Sequence, residues 1–351
     1  MGRPSTGMPP LGAFAALAIA VLTAAPGCRP DLPDPPDPGE PTPTVGCEEN
    51  GPVTLTRTAA DSTLVAPAWV EVCTLCPSDS FDVSFADAEG TALDSVTAWA
   101  RGTGCAVAMT TAPVPADGLD VTYRVTAGER SGDVTLDVPV SAEERGPDPE
   151  GLDGATFTLE WPFARSRHPH EGNPLLVDPA DGPSLLVSFG APDGDGLRPV
   201  TAGVTVTGGG EQDLCEPTHA WGAARLDTRQ LGARLDAGAS IPQPTPIPVL
   251  EGALQGRLNE TGEGLFDVAL IGVIDLAALE PALGPVADVC ADLVDLDGVS
   301  ACAPCTAPAD GADESQRCIT AVWEWAAAAR ADEPLQPVDA DALPPDCNRE
   351  H

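Results

Sequence analysis

The pattern of apolar and polar positions along the chain is mostly one of period two. Residues 53–57, 69–73, 81–85 and 104–111 alternate or run as short apolar segments between turn residues. Residues 119–125 (LDVTYRV) and 133–140 (DVTLDVPV) are two alternating runs around Gly128, the pattern of a β-hairpin. About seven short strands in some ninety residues predict a β-sandwich over residues 47–142. Residues 143–153 are polar and carry Pro and Gly, and they read as a linker. Residues 154–351 are again strand-rich. Residues 155–161 (ATFTLEW), 184–189 and 200–207 are candidate strands, and 252–258 with 265–274 form a hairpin around the Gly-rich turn 260–264.

A different period appears once. Apolar side chains at 276, 279, 283, 286, 290 and 293 step by three and four, which is helical. Gly284-Pro285 interrupts this run, so one short helix is expected from Pro285 to about Leu293, with proline in its first turn. Residues 317–325 place Ile319, Ala321, Trp323 and Trp325 on one side, so they read as a strand, although the alanines that follow would suit a helix. The fold class expected is mainly β: an immunoglobulin-like sandwich followed by a larger, disulfide-stapled, β-rich domain with one short helix.

The N-terminus changes the picture from fold to location. Residues 1–27 carry Arg3, an apolar core from Leu11 to Leu22 and a small-residue ending, the build of an export signal. The sequence Thr-Ala-Ala-Pro-Gly-Cys28 resembles a bacterial lipobox, with Ala25 at the position where a larger aliphatic residue is preferred. The resemblance implies that Cys28 carries a diacylglyceryl group and begins the mature chain. An ordinary secretory signal cut near Ala25 is the alternative. Residues 28–46 follow as a tether. Seven of the 18 residues from 29 to 46 are proline, with acids between them, so this stretch buries no core and stays extended.

Cysteine usage agrees with export. Eleven cysteines are odd in number; assigning Cys28 to lipid leaves ten. Four of them (Cys47, Cys73, Cys76, Cys105) fall in the first region and six (Cys215, Cys290, Cys302, Cys305, Cys318, Cys347) in the second. Disulfides are the default state of such cysteines outside the cytoplasm. Two rivals concern Cys302-Ala-Pro-Cys305. Four thiolates at 290, 302, 305 and 318 have tolerable zinc spacing, and the motif itself is near a thioredoxin-type redox pair. Cysteines three apart rarely bridge each other without strain. Cys302 and Cys305 are therefore expected to reach outward, with Cys215–Cys347 left as a pair.

Charge and composition exclude more than they assign. The chain has 54 acidic and 17 basic residues, a net charge of −37, and its basic residues are all arginine. Without lysine there is no P-loop and no Schiff-base or Ser-Lys chemistry. Such acidity repels phosphate, so a nucleic-acid partner is not expected. There is no Gly-x-Ser-x-Gly elbow. His168, His170 and Glu171 lie in the one basic island and are weak candidates for binding zinc or copper, against a solvated loop. Asp193-Gly-Asp-Gly196 and Asp295-Leu-Asp-Gly298 admit structural calcium, against plain turns; no other cofactor is expected.

The second region also resembles predicted lipoproteins of high-GC Gram-negative bacteria. The ordered elements are Asp213-Leu-Cys215-Glu-Pro-Thr218, the strand end at Asp275, Cys290, the Cys302/Cys305 pair, Cys318 and Cys347. Residues 50–142 similarly resemble bacterial Ig-like domains. These resemblances imply a cell-envelope location and no known reaction. The resulting expectation is a lipid-anchored envelope protein, in the outer membrane, with a non-catalytic structural, display or binding role. Its partners are the membrane, through the lipid, and an unidentified envelope protein. The alternatives are an envelope hydrolase or metal-dependent enzyme on the second domain, and a thiol oxidoreductase.

Overall fold

The computed structural model describes residues 55–58, 69–74, 80–101, 105–115, 119–127, 130–138, 145–168, 183–207, 209–242, 246–292, 302–305, 317–344 and 347. The signal, the tether, Cys28, Cys47, Cys76, His170, Glu171 and the 295–298 turn lie outside these residues.

The first eight strands are β1 (Leu55–Thr58), β2 (Trp69–Thr74), β3 (Ser80–Ala86), β4 (Ala92–Leu93), β5 (Ser95–Arg101), β6 (Cys105–Thr110), β7 (Leu119–Ala127) and β8 (Arg130–Val138). They make two four-stranded sheets, ordered β1-β2-β6-β5 and β4-β3-β7-β8. Every neighbouring pair is antiparallel. Pairs of consecutive strands therefore alternate between sheets, the Greek-key connectivity of a two-sheet sandwich. In β3, Val83 and Phe85 are buried while Asp82 and Ser84 are exposed. That is the period-two signature seen in the sequence. The β7–β8 ladder is longer than the alternating runs suggest, reaching Ala127↔Arg130.

The later strands are β9 (Ala155–Leu159), β10 (Arg165–His168), β11 (Leu185–Phe189), β12 (Arg198–Val204), β13 (His219–Asp227), β14 (Gln230–Leu235), β15 (Ser240–Ile241), β16 (Ile247–Leu258), β17 (Gly264–Asp275), β18 (Cys302–Pro304) and β19 (Arg317–Arg330). They form one sheet, which β19 closes by pairing with β9 at Ala329↔Thr158 and Arg330↔Phe157. Eight of them, β9-β11-β12-β13-β14-β16-β17-β19, therefore make an antiparallel barrel in sequence order. The β-rich second region is thus a closed barrel: its eight wall strands each pair on both sides, while β10, β15 and β18 pair on one side among the described residues.

Closure involves an interrupted strand. β9 and β10 both run antiparallel to β19, with β10 pairing higher up at Arg165↔Glu324 and Ser166↔Trp323. Between them a 3-10 turn, Trp161–Phe163, breaks the ladder, with Pro162 unable to donate. The break turns Trp161 inward, where it packs on Trp323 (centroids 5.7 Å) and Trp325 (5.2 Å).

The barrel interior is filled by apolar side chains. Phe157, Leu159, Leu185, Trp221, Leu254, Leu270, Ile319 and Trp325 are almost fully buried and belong to one core cluster. Outward positions include Arg225 and Arg234, both exposed. This is the reverse of the polar lumen and apolar belt of an outer-membrane barrel.

Two helices cap one mouth, where one was expected: α1 (Leu276–Leu283) and α2 (Val286–Asp292). The three-and-four period is used from Leu276 to Cys290, because Gly284 at φ 89 and Pro285 break it without abolishing the first half. Asp275 caps α1 by accepting from the Ala277 amide at 2.9 Å. Leu276, Leu279 and Val289 are buried against the barrel core. β19 also runs five residues past Trp325, because pairing with β17 and β9 supplies its alanines with a ladder.

The sandwich lies against the barrel, and residues 47–351 form a single compact unit. Trp69, Val96, Val107 and Met109 share a buried cluster with Ala253, Ala269, Ile271 and Val322. β19 therefore buries both faces, odd positions into the barrel and Val322 toward the sandwich. Trp69 Nε1 donates to Glu324 Oε1 at 2.7 Å, and Gln255 Nε2 donates to the Thr110 carbonyl at 2.7 Å. The segment 145–152 seats against the barrel as well. Arg145 donates to the carbonyls of Val114 and Pro115 and to Thr228 Oγ1. The two-residue turn it meets, Thr228-Arg229, has φ of 49° and 69° without a glycine. Such strain persists where surroundings over-determine it. Here the Arg229 amide donates to Asp148 Oδ1 at 2.7 Å, and its guanidinium pairs with Glu260.

Candidate functional site

The six cysteines of the barrel region form three disulfides: Cys215–Cys347, Cys290–Cys302 and Cys305–Cys318. Cys302 and Cys305 thus reach to different partners. Cys290 brings α2 to β18, and Cys318 brings β19 to the residue after β18. All four sulfurs proposed for zinc are consumed in bonds to one another, which leaves no thiolate ligand. The Cys302-x-x-Cys305 segment begins in strand β18, paired with β19, and so lacks the helix N-terminus that a reactive redox cysteine uses. The one grouping of metal-type ligands among the described residues is Asp275 with Cys305 and Cys318. Since its two sulfurs are disulfide-bonded to each other, it offers a single carboxylate. In the first region, Cys73 and Cys105 stand opposite each other in the β2–β6 ladder.

His168 ends β10. In the 193–197 turn, Asp193 Oδ1 accepts from the amides of Asp195 and Leu197, each at 2.9 Å, so that carboxylate serves the turn. His219, which the sequence did not single out, starts β13. Its Nε2 is buried without a hydrogen-bond partner among the described residues, and burial pushes its pKa below the usual 6.5.

Among the described residues the barrel wall carries a groove of about 540 Å³. Its floor is the outward face of β9 and β11, at Thr158 and Leu186. One wall is the loop around Glu211, Gln212 and Leu214; the other is the segment after β19, from Ala331 to Gln336. That segment leaves the barrel as an irregular strap. The Ala331 amide donates to the Thr156 carbonyl at 2.8 Å, and the Leu335 amide to Thr156 Oγ1 at 2.9 Å. Leu335 then lies on bare backbone: a Cβ at Gly203 would stand 2.8 Å from its Cδ1. Gln336 and Gln212 exchange two hydrogen bonds of 2.7 Å. Thr218 and Val338 exchange another pair, with the Val338 amide donating to Thr218 Oγ1 at 3.1 Å and the Thr218 amide to the Val338 carbonyl at 3.0 Å.

The Asp213-Leu-Cys215-Glu-Pro-Thr218 element is the receptor for this strap. Asp213 Oδ1 accepts from the Cys215 amide at 2.9 Å, which orients Cys215 toward Cys347, while Thr218 holds Val338. The strap and groove were not foreseen. The only sequence signal was the repeated Pro and Asp of residues 332–346, which exclude regular structure but do not say where the chain goes.

Fold and site together define a mainly β protein, a Greek-key pair of sheets packed on a helix-capped barrel with a disulfide-pinned strap. Compared with known proteins, the chain matches no family model, no curated protein and no solved structure.

Proposed function

We propose that this chain is a lipid-anchored envelope protein whose sandwich and barrel act as one rigid presenting body with a non-catalytic binding or display role. Cys28 is the anchor, and residues 29–46 set the distance from the membrane. The observation that carries the binding reading is the groove on the barrel wall, set in a domain whose interior is already filled by side chains. The groove is of the size of small-ligand and peptide-anchor sites. Among the described residues its lining has threonine hydroxyls, carboxylates, leucines and Arg330, a mixture of apolar contacts and hydrogen-bonding groups suited to holding a ligand. The arrangement of the first two sheets is in keeping with the immunoglobulin-like resemblance, a scaffold suited to display.

Intact mass of the membrane-extracted protein tests the anchor. The expected species begins at residue 28 and carries a diacylglyceryl plus an acyl group, and Cys28→Ala shifts the protein to the soluble fraction. An unmodified N-terminus, or an unchanged membrane fraction for Cys28→Ala, would overturn it.

A further inference from the structure

The three described disulfides differ in what surrounds them. Each of the two at the helix-capped mouth has one cysteine sealed in the core: Cys302 is 6% exposed and Cys318 is 1% exposed. In Cys215–Cys347 both cysteines are partly exposed, as are Cys290 and Cys305, so this bond has no sealed sulfur. They also differ in what they hold. Cys290–Cys302 and Cys305–Cys318 join neighbours already held by the β18–β19 ladder and by α2. Cys215–Cys347 joins chain segments 132 residues apart and lies at the far end of the strap.

Between Asp332 and Leu343 only Leu335 and Val338 turn partly away from solvent. The strap has no ladder over this stretch, and its backbone bonds to Thr156, Gln212 and Thr218 are few. A segment with little buried apolar surface and exposed hydrogen bonds opens at low free energy unless something covalent holds its end. The two walls of the groove are joined at the Gln212–Gln336 pair, and the disulfide stands beyond it. The bond therefore keeps the end of the strap beside the loop that forms the other wall.

We propose that Cys215–Cys347 is a redox clasp: its reduction releases the strap from the barrel wall and opens the groove over Thr158 and Leu186, leaving the fold otherwise intact. The reductant is a dithiol. One of its thiolates attacks a sulfur of the clasp to give a mixed disulfide, and its second thiol resolves it. The dithiol leaves as a disulfide, and Cys215 and Cys347 end as two thiols that have taken up two electrons and two protons. The inference rests on the strap and groove alone and holds whether or not Cys28 carries lipid.

The test uses the full chain, dithiothreitol without denaturant, alkylation mapping and amide hydrogen exchange read by mass spectrometry. Cys215 and Cys347 should alkylate roughly ten-fold or more ahead of Cys302 and Cys318, as accessibility controls exchange. The amides of Leu335, Gln336, Val338 and Thr218 should then exchange at least about ten-fold faster, while those of β16 and β17 keep their protection. The double variant Cys215→Ser, Cys347→Ser should show the same pattern with no reductant present. The clasp is disproved if the strap amides stay protected in both experiments. It is equally disproved if Cys302 and Cys318 label as fast as Cys215 and Cys347, or if barrel amides lose protection together with the strap.

Discussion

Three indoles in the barrel core separate two contributions that usually come together. Trp221 Nε1 donates to the Ser240 carbonyl at 2.8 Å and Trp325 Nε1 to the Glu160 carbonyl at 3.1 Å, whereas Trp161 Nε1 is buried without a partner among the described residues. Replacing tryptophan by phenylalanine removes ring volume at all three sites. At 221 and 325 it also removes a hydrogen bond to a main-chain carbonyl; at 161 it removes a donor that has no partner among the described residues. A net hydrogen bond is worth about 1 kcal/mol, and leaving a buried polar group unsatisfied costs about 1–3 kcal/mol. Trp161→Phe should therefore destabilise the protein less than Trp325→Phe or Trp221→Phe, by about 1–2 kcal/mol in denaturant unfolding. Equal losses at all three positions would refute this account. The core tryptophans at 323 and 325 were legible from period two alone. Trp161 was read as a strand residue, because nothing in ATFTLEW announces a break; the break comes from Pro162, whose missing N–H matters only once β19 is alongside.

Among elements, β13 and β14 show what period two misses. His219–Asp227 and Gln230–Leu235 are rich in Gly and Ala and poor in β-branched residues, and their connecting turn is Thr-Arg rather than Asn-Gly. Local propensity there is weak, so neighbours on both sides decide the strand. The glycines have a packing reason that only the fold reveals. Gly232 is where the barrel wall meets the sandwich: a Cβ there would stand 2.6 Å from the backbone oxygens of both Thr111 and Ala112. Those atoms are main chain and cannot swing aside. Gly232→Val should cost about 1–3 kcal/mol by overpacking. The loss should fall on the join, reading as faster amide exchange at residues 106–112 with the β16–β17 ladder unchanged. Loss of protection confined to the barrel interior would contradict it. By contrast, the β16–β17 hairpin is legible over residues 252–258 and 265–274, where strands and Gly-rich turn agree with one another, while the start of β16 at 247–251 is not.

For the molecule as a whole, sequence divides the chain into two domains at a polar linker, while contact joins them. The buried cluster around Trp69 and Val322, the Trp69–Glu324 and Gln255–Thr110 hydrogen bonds, and Arg145 spanning Val114 and Thr228 all cross that division. Alternation alone cannot show this. Val322 and Val107 look like the second faces of their strands, and whether such a face meets water or another sheet depends on the rest of the chain. The sandwich and barrel should unfold in one calorimetric transition, with calorimetric and van't Hoff enthalpies agreeing. Two well-separated transitions would show that the join contributes little.

The closure of the barrel has a consequence for the order of events as the chain emerges N-terminus first. The strands that meet to close it, at residues 157–158 and 329–330, stand at opposite ends of the second region. All pairing up to β17 can proceed between sequence neighbours, but the last seam waits for nearly the entire polypeptide. Contacts of such high sequence separation are slow to form, because a long loop must be closed before they repay it. Until then β9 and β17 are raw edges open to foreign strands. The sandwich, complete by residue 138, precedes them, and its apolar wall at Trp69, Val107 and Met109 is in place before β16, β17 and β19 arrive. A surface that is only an internal contact in the finished protein thus acts, while the chain is incomplete, as a shield for the barrel being built upon it.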